Sequence, residues 1–307
     1  MKNSSHPGRI ARVLRWLVAA NVYIVGAAVF VVPPTASAQS EAHDAGPAEQ
    51  VAAGNYDYNG DGLDDVVARR DATGNLEVWP GDGTGGFGTK YIVGGGWGVM
   101  NLIETAGDLN NDGNADIIAR EASTGRLWFY PGNGTTFNSR SSIGLGWGVM
   151  SAIVSGHDYT GNGNVDIIAT EAGTGTLWLY PGAGTGNTFA KRIQIGSSFH
   201  LVEELTAVGD MNEDGHADVV GVRLADECMY FYAGPATGQF APPLLFDCGW
   251  DVMESAAAVG DFDGDGHADW LGREPDHNLL YLFKGDGTGR YSSSPVIDFG
   301  WNSMTIA

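Results

Sequence analysis

The sequence predicts an all-β protein, a five-bladed β-propeller of four-stranded antiparallel blades. First, a nine-residue acidic segment recurs five times, about every 50 residues, and a period of this size indicates a repeat architecture. Second, short apolar segments separated by Gly, Asn and Pro turns fill the intervals, with no helical period after the N-terminal region. Third, the chain has 47 Gly and 9 Trp but only 17% charged residues, as in a turn-rich β protein with an aromatic core.

The recurring segments, here called acidic loops one to five, share one pattern. Oxygen-bearing side chains stand at positions 1, 3, 5 and 9, and glycine stands at position 6. The five sets are Asp57, Asn59, Asp61 and Asp65; Asp108, Asn110, Asp112 and Asp116; Asp158, Thr160, Asn162 and Asp166; Asp210, Asn212, Asp214 and Asp218; and Asp261, Asp263, Asp265 and Asp269. Such a loop can wrap oxygen ligands around Ca²⁺, which accepts about six to eight of them in flexible geometry. The sequence therefore predicts up to five Ca²⁺ ions.

The acidic loops are not EF-hands, because position 12 is Ala or Gly where an EF-hand needs Glu. A second interpretation is that the Asp residues only build Asx turns, but a fivefold recurrence favours metal. At positions 1, 3, 5 and 9, loop five has four carboxylates, loop three has two, and the others have three. We therefore predict the tightest Ca²⁺ binding at loop five and the weakest at loop three, where Thr160 and Asn162 replace stronger ligands.

The acidic loops resemble the FG-GAP/VCBS repeat, whose D-x-[DN]-x-[DN]-G-x-x-D loop binds Ca²⁺ between two blade strands in integrin-type propellers and many secreted bacterial proteins. The resemblance covers Val51 to Ala307 and departs from the pattern in loop three. It implies a propeller over residues 51–307. Both Val51–Ala53 and the segment from Trp301 to Ala307 read as the same first strand, so either chain end could close the ring.

A Gly-Trp or Gly-rich aromatic segment precedes each first strand. Its aromatic residues are Trp97, Trp147, Phe199, Trp250 and Trp301. The segment resembles the I-G-x-G-G-W signature of tachylectin-type five-bladed lectins, which implies pockets for N-acetylated sugars between blades. An indole can stack on a sugar ring, but it can equally fill the space between blades. The sequence leaves both roles open.

The N-terminus predicts export. Arg9, Arg12 and Arg15 precede an apolar run, and Ala36-Ser-Ala38 follows, so residues 1–38 are interpreted as a secretory signal peptide and 39–50 as a flexible leader. An uncleaved membrane anchor is the alternative. Cleavage leaves a secreted, extracellular protein without a membrane-inserted segment. In that oxidising compartment Cys228 and Cys248, placed symmetrically about Gly238, are expected to form a disulfide.

Charge and motifs narrow the function. A formal charge of −21 disfavours nucleic acid as a partner. The chain has no G-x-S-x-G or H-E-x-x-H motif, and the paired carboxylates belong to the acidic loops. We therefore predict a non-catalytic calcium-binding recognition module for a cell-surface glycan. A protein-interaction or adhesion scaffold is the alternative, and an extracellular lyase or hydrolase would need an unrepeated cluster facing the central channel.

Overall fold

The structure is a computed structural model that describes residues 56–234 and 238–307. The signal peptide predicted for residues 1–38, the leader at 39–50 and the beginning of the first repeat lie outside the described residues. The described residues form strands and short 3₁₀ turns, and among them no helix is long and apolar enough to cross a membrane.

Five antiparallel sheets of four principal strands form the blades, which confirms the predicted propeller. Blade one contains β1 (Val66–Arg70), β2 (Asn75–Trp79), β3 (Tyr91–Gly94) and β21 (Met304–Ile306). Blades two and three contain β4 (Met100–Thr105), β5 (Ile117–Glu121), β6 (Arg126–Tyr130) and β7 (Ser141–Gly144), then β8 (Met150–Val154), β9 (Ile167–Glu171), β10 (Thr176–Tyr180) and β11 (Ile193–Gly196). Blade four contains β12 (Val202–Gly209), β13 (Asp218–Arg223), β14 (Cys228–Tyr232) and β15 (Leu244–Cys248). Blade five contains β16 (Ser255–Gly260), β17 (Asp269–Glu274), β18 (Leu279–Gly285), β19 (Tyr291–Ser293) and β20 (Val296–Phe299).

The C-terminal strand closes the ring. β21 pairs antiparallel with β1, with Ala68 opposite Ile306, and the Ala307 N–H donates to the Val67 carbonyl at 2.9 Å. Blade one thus takes its innermost strand from the end of the chain. This settles, within the described residues, which end fills the strand that the sequence left open.

The blades pack face to face, and their middle strands are apolar on both faces for that reason. Leu127 and Phe129 of β6 are buried in the core shared with blade three, while Trp128 and Tyr130 of the same strand pack against blade one. Each inter-blade space has its own core cluster. The third-strand aromatics therefore form inter-blade core.

Arginine side chains fasten three of the junctions between blades. Arg120 at the end of β5 is buried, and its Nη1 donates to the carbonyls of Met150 at 2.6 Å and Trp147 at 3.1 Å in the segment that begins blade three. Arg69 bonds the Met100 carbonyl and Arg273 the Trp301 carbonyl in the same way. At the equivalent strand position, blade three has Thr170 and blade four has Val222 in place of arginine.

Replacing Arg120 by alanine should lower the free energy of unfolding by about 2 to 4 kcal/mol, because two carbonyls lose a charged donor in a buried place. Urea unfolding followed by tryptophan fluorescence measures this change. The exposed Arg290 provides the control, since Arg290→Ala should change stability by less than about 0.5 kcal/mol. Equal effects of the two variants would contradict the fastening role of Arg120.

A disulfide joins the two outer strands of blade four. Cys228 on β14 lies directly opposite Cys248 on β15, and the S–S bond closes a separation of 20 residues. Leu244 and Leu245 on β15 are more than half exposed, so few apolar contacts hold this edge strand. The covalent link therefore holds this edge strand in place of apolar packing.

Candidate functional site

All five acidic loops lie on one face of the ring, which we call the loop face. In blade two the loop follows β4 and leads into β5, while the Gly-Trp segment precedes β4 at its opposite end. The Gly-Trp segments therefore lie on the other face, here called the turn face. The structure thus brings the predicted metal-binding residues together on one side and the predicted sugar-binding residues on the other.

The aspartate at position 9 ties each acidic loop to the rest of its blade. Asp116 is fully buried, and its carboxylate accepts the N–H of Leu109 within the loop at 2.9 Å and the N–H of Gly132 after the third strand at 2.8 Å. The same pair of bonds recurs at the other ninth aspartates, Asp65, Asp166, Asp218 and Asp269. A Cβ at Gly132 would lie 2.0 Å from the Ala115 carbonyl oxygen, so only glycine allows the backbone of this segment to lie so close to the acidic loop.

Burial makes these aspartates costly to ionise. Burial is the largest cause that raises the pKa of Asp116 to about 7. The hydrogen bond from Gly132 lowers the pKa, whereas the nearby Asp112 and Asp108 carboxylates raise it further. The pKa values of Asp65, Asp218 and Asp269 are likewise raised to about 7, and that of Asp166 to about 6. A divalent cation beside these carboxylates would favour their charged forms.

Positions 1 to 6 form a compact turn. The carboxylate of Asp108 accepts the N–H of Gly113 at 2.8 Å and that of Asp112 at 2.9 Å, and Asn110 and Asp112 each accept an N–H two residues further on. Gly113 has a φ of 90°, a conformation that favours glycine. These are Asx turns, as the second interpretation of the sequence required, and they leave further carboxylate lone pairs for a cation.

Acidic loop five provides the clearest fit to a metal ion. Asp261, Asp263 and Asp265 each place a carboxylate oxygen within 4.8 Å of the others. One buried oxygen of Asp261, Oδ1, has no hydrogen-bond partner. A buried, unpartnered carboxylate oxygen is costly unless a charge compensates it, so this donor set fits a hard cation such as Ca²⁺.

Asp64 makes a contact between two acidic loops that the repeat pattern did not indicate. Its carboxylate accepts the N–H of Tyr56 at 3.3 Å and the N–H of Asp261 at 3.0 Å, so it joins loops one and five across the closure of the ring. Burial raises its pKa to about 6. The other loops have Ala or Val at this position, and an acid found in one repeat alone is the signal that could have identified it.

The five aromatic residues of the Gly-Trp segments are buried between blades, with exposed fractions from 1% for Trp301 to 8% for Trp97. Trp97 begins a 3₁₀ turn, and its N–H donates to the Gly74 carbonyl of blade one at 2.9 Å. Its ring packs on Tyr130 of blade two, with centroids 4.5 Å apart. Trp147, Phe199, Trp250 and Trp301 make equivalent ring contacts. This burial favours the core role of the two that the sequence left open.

Beside four of the five buried rings, the turn face exposes an aliphatic side chain; Ser303 stands at this position after Trp301. Val99, Val149, Leu201 and Val252, each two residues after the buried aromatic, are between 38% and 55% exposed. Two larger apolar side chains extend this surface, Leu145 at 64% and Phe299 at 71% exposed. The turn face therefore repeats one small apolar surface from blade to blade.

An unrepeated pair of residues closes the middle of the ring. The Tyr56 hydroxyl lies 3.2 Å from His157 Nε2, and both residues stand directly before an acidic loop, where the other blades have glycine. Both are buried, and burial lowers the pKa of His157 to about 4. The pair is therefore neutral and packed within protein, which fits a structural role better than an accessible acid and base.

Glu104 on β4 is only partly exposed to solvent, and burial raises its pKa well above the usual range. The native state then binds this proton more strongly than the unfolded chain does, so its ionisation should lower stability as the pH rises above about 4.3, the ordinary pKa of Glu. Glu104→Gln should consequently melt at a higher temperature than the wild type at pH 8, with a smaller difference at pH 5. The exposed Asp276→Asn is the control, and a Glu104→Gln difference independent of pH would contradict the expectation.

A ring of five antiparallel blades, each with an acidic loop at the same register, defines a five-bladed repeat propeller. The family described as FG-GAP-like repeat matches this sequence at residues 57–119, 158–221 and 210–272, which is more than half of the chain. The chain belongs to the FG-GAP-like repeat family. This confirms the resemblance seen in the acidic loops.

Several solved structures share similarity with the chain at low identity. The BP39L lectin from Burkholderia pseudomallei is 13% identical with a TM-score of 0.47, over 80% of this chain and 69% of that chain. A chain of a nidogen/laminin complex is 11% identical with a TM-score of 0.42, and the match covers 80% of this chain and 98% of that chain. A luciferin-regenerating enzyme is 11% identical with a TM-score of 0.40, and the match covers 80% of this chain and 78% of that chain. No curated protein matches the sequence.

Proposed function

We propose that this chain is a secreted, non-catalytic recognition module that binds Ca²⁺ in its acidic loops and a carbohydrate of a cell surface or polymer at its turn face. The observation that carries the proposal is the separation of two repeated surfaces. Carboxylates recur on one face, and small exposed apolar surfaces recur on the other.

Calcium would be held by the oxygen donors at positions 1, 3, 5 and 9 of each loop, with the backbone carbonyl of position 7 as a further ligand. The ion would supply positive charge among carboxylates that burial leaves costly to ionise. Since each ninth aspartate already ties its loop to the glycine at the end of the third strand of its blade, filling the loops would stiffen the whole loop face. Loop five, with the unpartnered Asp261 oxygen, is the best supported of these sites.

The turn face suits a sugar because it offers an aliphatic side chain beside glycine backbone. In blade three Val149 lies next to the buried Trp147, and Gly146 leaves the adjacent backbone open, with nothing within 4 Å of its Cβ position. The CH-rich face of a sugar ring can pack on such a surface while its hydroxyls bond backbone groups. Several equivalent weak sites in one ring would give avidity for a polymer or a crowded cell surface.

A protein-interaction or adhesion scaffold with structural calcium is the second candidate function. Leu145 and Phe299 favour it, because two large apolar side chains exposed on one face can anchor a protein partner. An enzyme has less support, since the unrepeated Tyr56–His157 pair is buried.

A glycan array probed with the calcium-loaded chain tests the proposal. We expect binding to a set of glycans that weakens when Val149→Asp places a charge on the turn face. Ile92→Asp is the matched control, because Ile92 is also exposed but lies on the outer strand β3. Silence across the array, or equal loss with both variants, would contradict carbohydrate recognition at the turn face and favour the scaffold.

A further inference from the structure

Blade five differs from the other four at two positions that meet in space. At position 3 of its acidic loop it has Asp263, whereas the other loops have Asn59, Asn110, Thr160 and Asn212. Directly before the glycine that bonds the ninth aspartate it has Lys284, whereas the other blades have Pro80, Pro131, Pro181 and Ala233. The blade with a fourth acid at the ligand positions of its loop is thus also the blade with a lysine at the neighbouring strand end.

The two residues form an ion pair inside the candidate metal site. Lys284 Nζ lies 2.7 Å from Asp263 Oδ2, and the Asp263 side chain is only 5% exposed. Asp263 is one of the three carboxylates whose oxygens lie within 4.8 Å of one another. The ammonium therefore lies at the group of oxygens that would coordinate a cation, and it compensates the additional carboxylate that loop five has at its ligand positions.

We propose, on the basis of the calcium binding proposed above, that Lys284 is a tethered cation that competes with Ca²⁺ for Asp263 and lowers the affinity of loop five. Calcium entry must displace the ammonium from Asp263, which breaks the ion pair, or bind beside the ammonium, where the two like charges repel; both cost free energy. Loop five then fills at higher calcium concentration than its carboxylates alone would require. The order predicted from carboxylate number, with loop five tightest, omits this positive charge.

Without calcium, the same lysine stabilises the loop. Asp261, Asp263 and Asp265 would otherwise repel one another, and the ion pair relieves part of that repulsion. Removing the ammonium should consequently have opposite effects in the two states. It should destabilise the calcium-free protein and increase the stabilisation that calcium brings.

The test is calorimetric calcium titration of the full secreted chain, combined with thermal unfolding in chelator and in calcium. Lys284→Met should tighten one class of sites about tenfold or more and lower the melting temperature in chelator. Lys90→Met is the matched control, since Lys90 pairs with Glu77 at 3.0 Å outside the acidic loops and should leave calcium affinity unchanged. The reciprocal variant, Ala233→Lys, places an ammonium at the same register of blade four and should weaken one site.

The double variant Lys284→Met, Asp265→Ala shows which loop binds calcium more tightly. If the increase in affinity belongs to loop five, Asp265→Ala should abolish it. Calcium binding that persists with unchanged affinity in Lys284→Met would overturn the role of Lys284 and leave the proposed calcium function in place. A chain that binds no calcium in any variant would overturn both. A tightening that survives Asp265→Ala would place the effect outside loop five and also contradict the proposal.

Discussion

Replacing Asp116 by alanine is expected to lower the free energy of unfolding by about 3 to 5 kcal/mol in the absence of calcium. The Asp116 carboxylate accepts two N–H groups in a fully buried place, one from Leu109 and one from Gly132. Alanine leaves both donors without a partner and separates the acidic loop from the segment that follows β6. Chemical denaturation in chelator measures the effect without any contribution from metal.

Asp112→Ala is the matched control for that variant, because Asp112 is exposed and stands at position 5 of the same loop. In chelator it should change stability by less than about 1 kcal/mol, whereas it should weaken calcium binding at loop two. The two aspartates thus separate the fastening role of position 9 from the ligand role of position 5. Equal losses of stability in chelator would show that position 9 has no special structural role.

Removing calcium is expected to have the second large effect. At a calcium concentration about a hundred times the dissociation constant, each filled site stabilises the folded state by about 2.7 kcal/mol. Several filled loops should therefore raise the melting temperature by more than about 10 °C relative to chelator. Differential scanning calorimetry of the same sample in calcium and in chelator measures the difference.

Magnesium serves as the control ion, because it demands compact octahedral geometry and gives up its water reluctantly. It should restore little of the stability that chelation removes. Identical melting temperatures in chelator and in calcium would contradict stabilisation by the acidic loops. Full recovery with magnesium would instead indicate charge screening without a site of calcium size.

The repeat made much of the fold predictable. Because the first aspartates recur at a nearly constant interval, each blade could be placed on the sequence, and the strands follow the loops where the apolar segments indicated. The chain end that closes the ring could not be chosen, since Val51–Ala53 and the segment after Trp301 have equivalent patterns. Only the observed pairing of β21 with β1 distinguishes them.

The candidate site was less predictable, and the reasons are physical. In the sequence, an aspartate at position 9 resembles a metal ligand. In loop two this residue is Asp116, and its two buried hydrogen bonds to Leu109 and Gly132 depend on contacts between segments that the sequence does not show. From the sequence, the indole of Trp97 could be exposed or covered. It is covered because Tyr130, on another strand, packs against it. Lys284 lies 21 residues beyond Asp263, so a carboxylate count restricted to the loop could not include it.

Counting the calcium ions that each chain binds tests the central claim most directly. Equilibrium dialysis followed by metal analysis should find one ion for each acidic loop, with loop three the first to lose its ion as free calcium falls. Asp210→Ala, which removes the first ligand of loop four, should bind one ion fewer while the remaining sites keep their affinity. Saturable binding absent from the wild type, or an unchanged count in Asp210→Ala, would contradict the assignment of calcium to these loops.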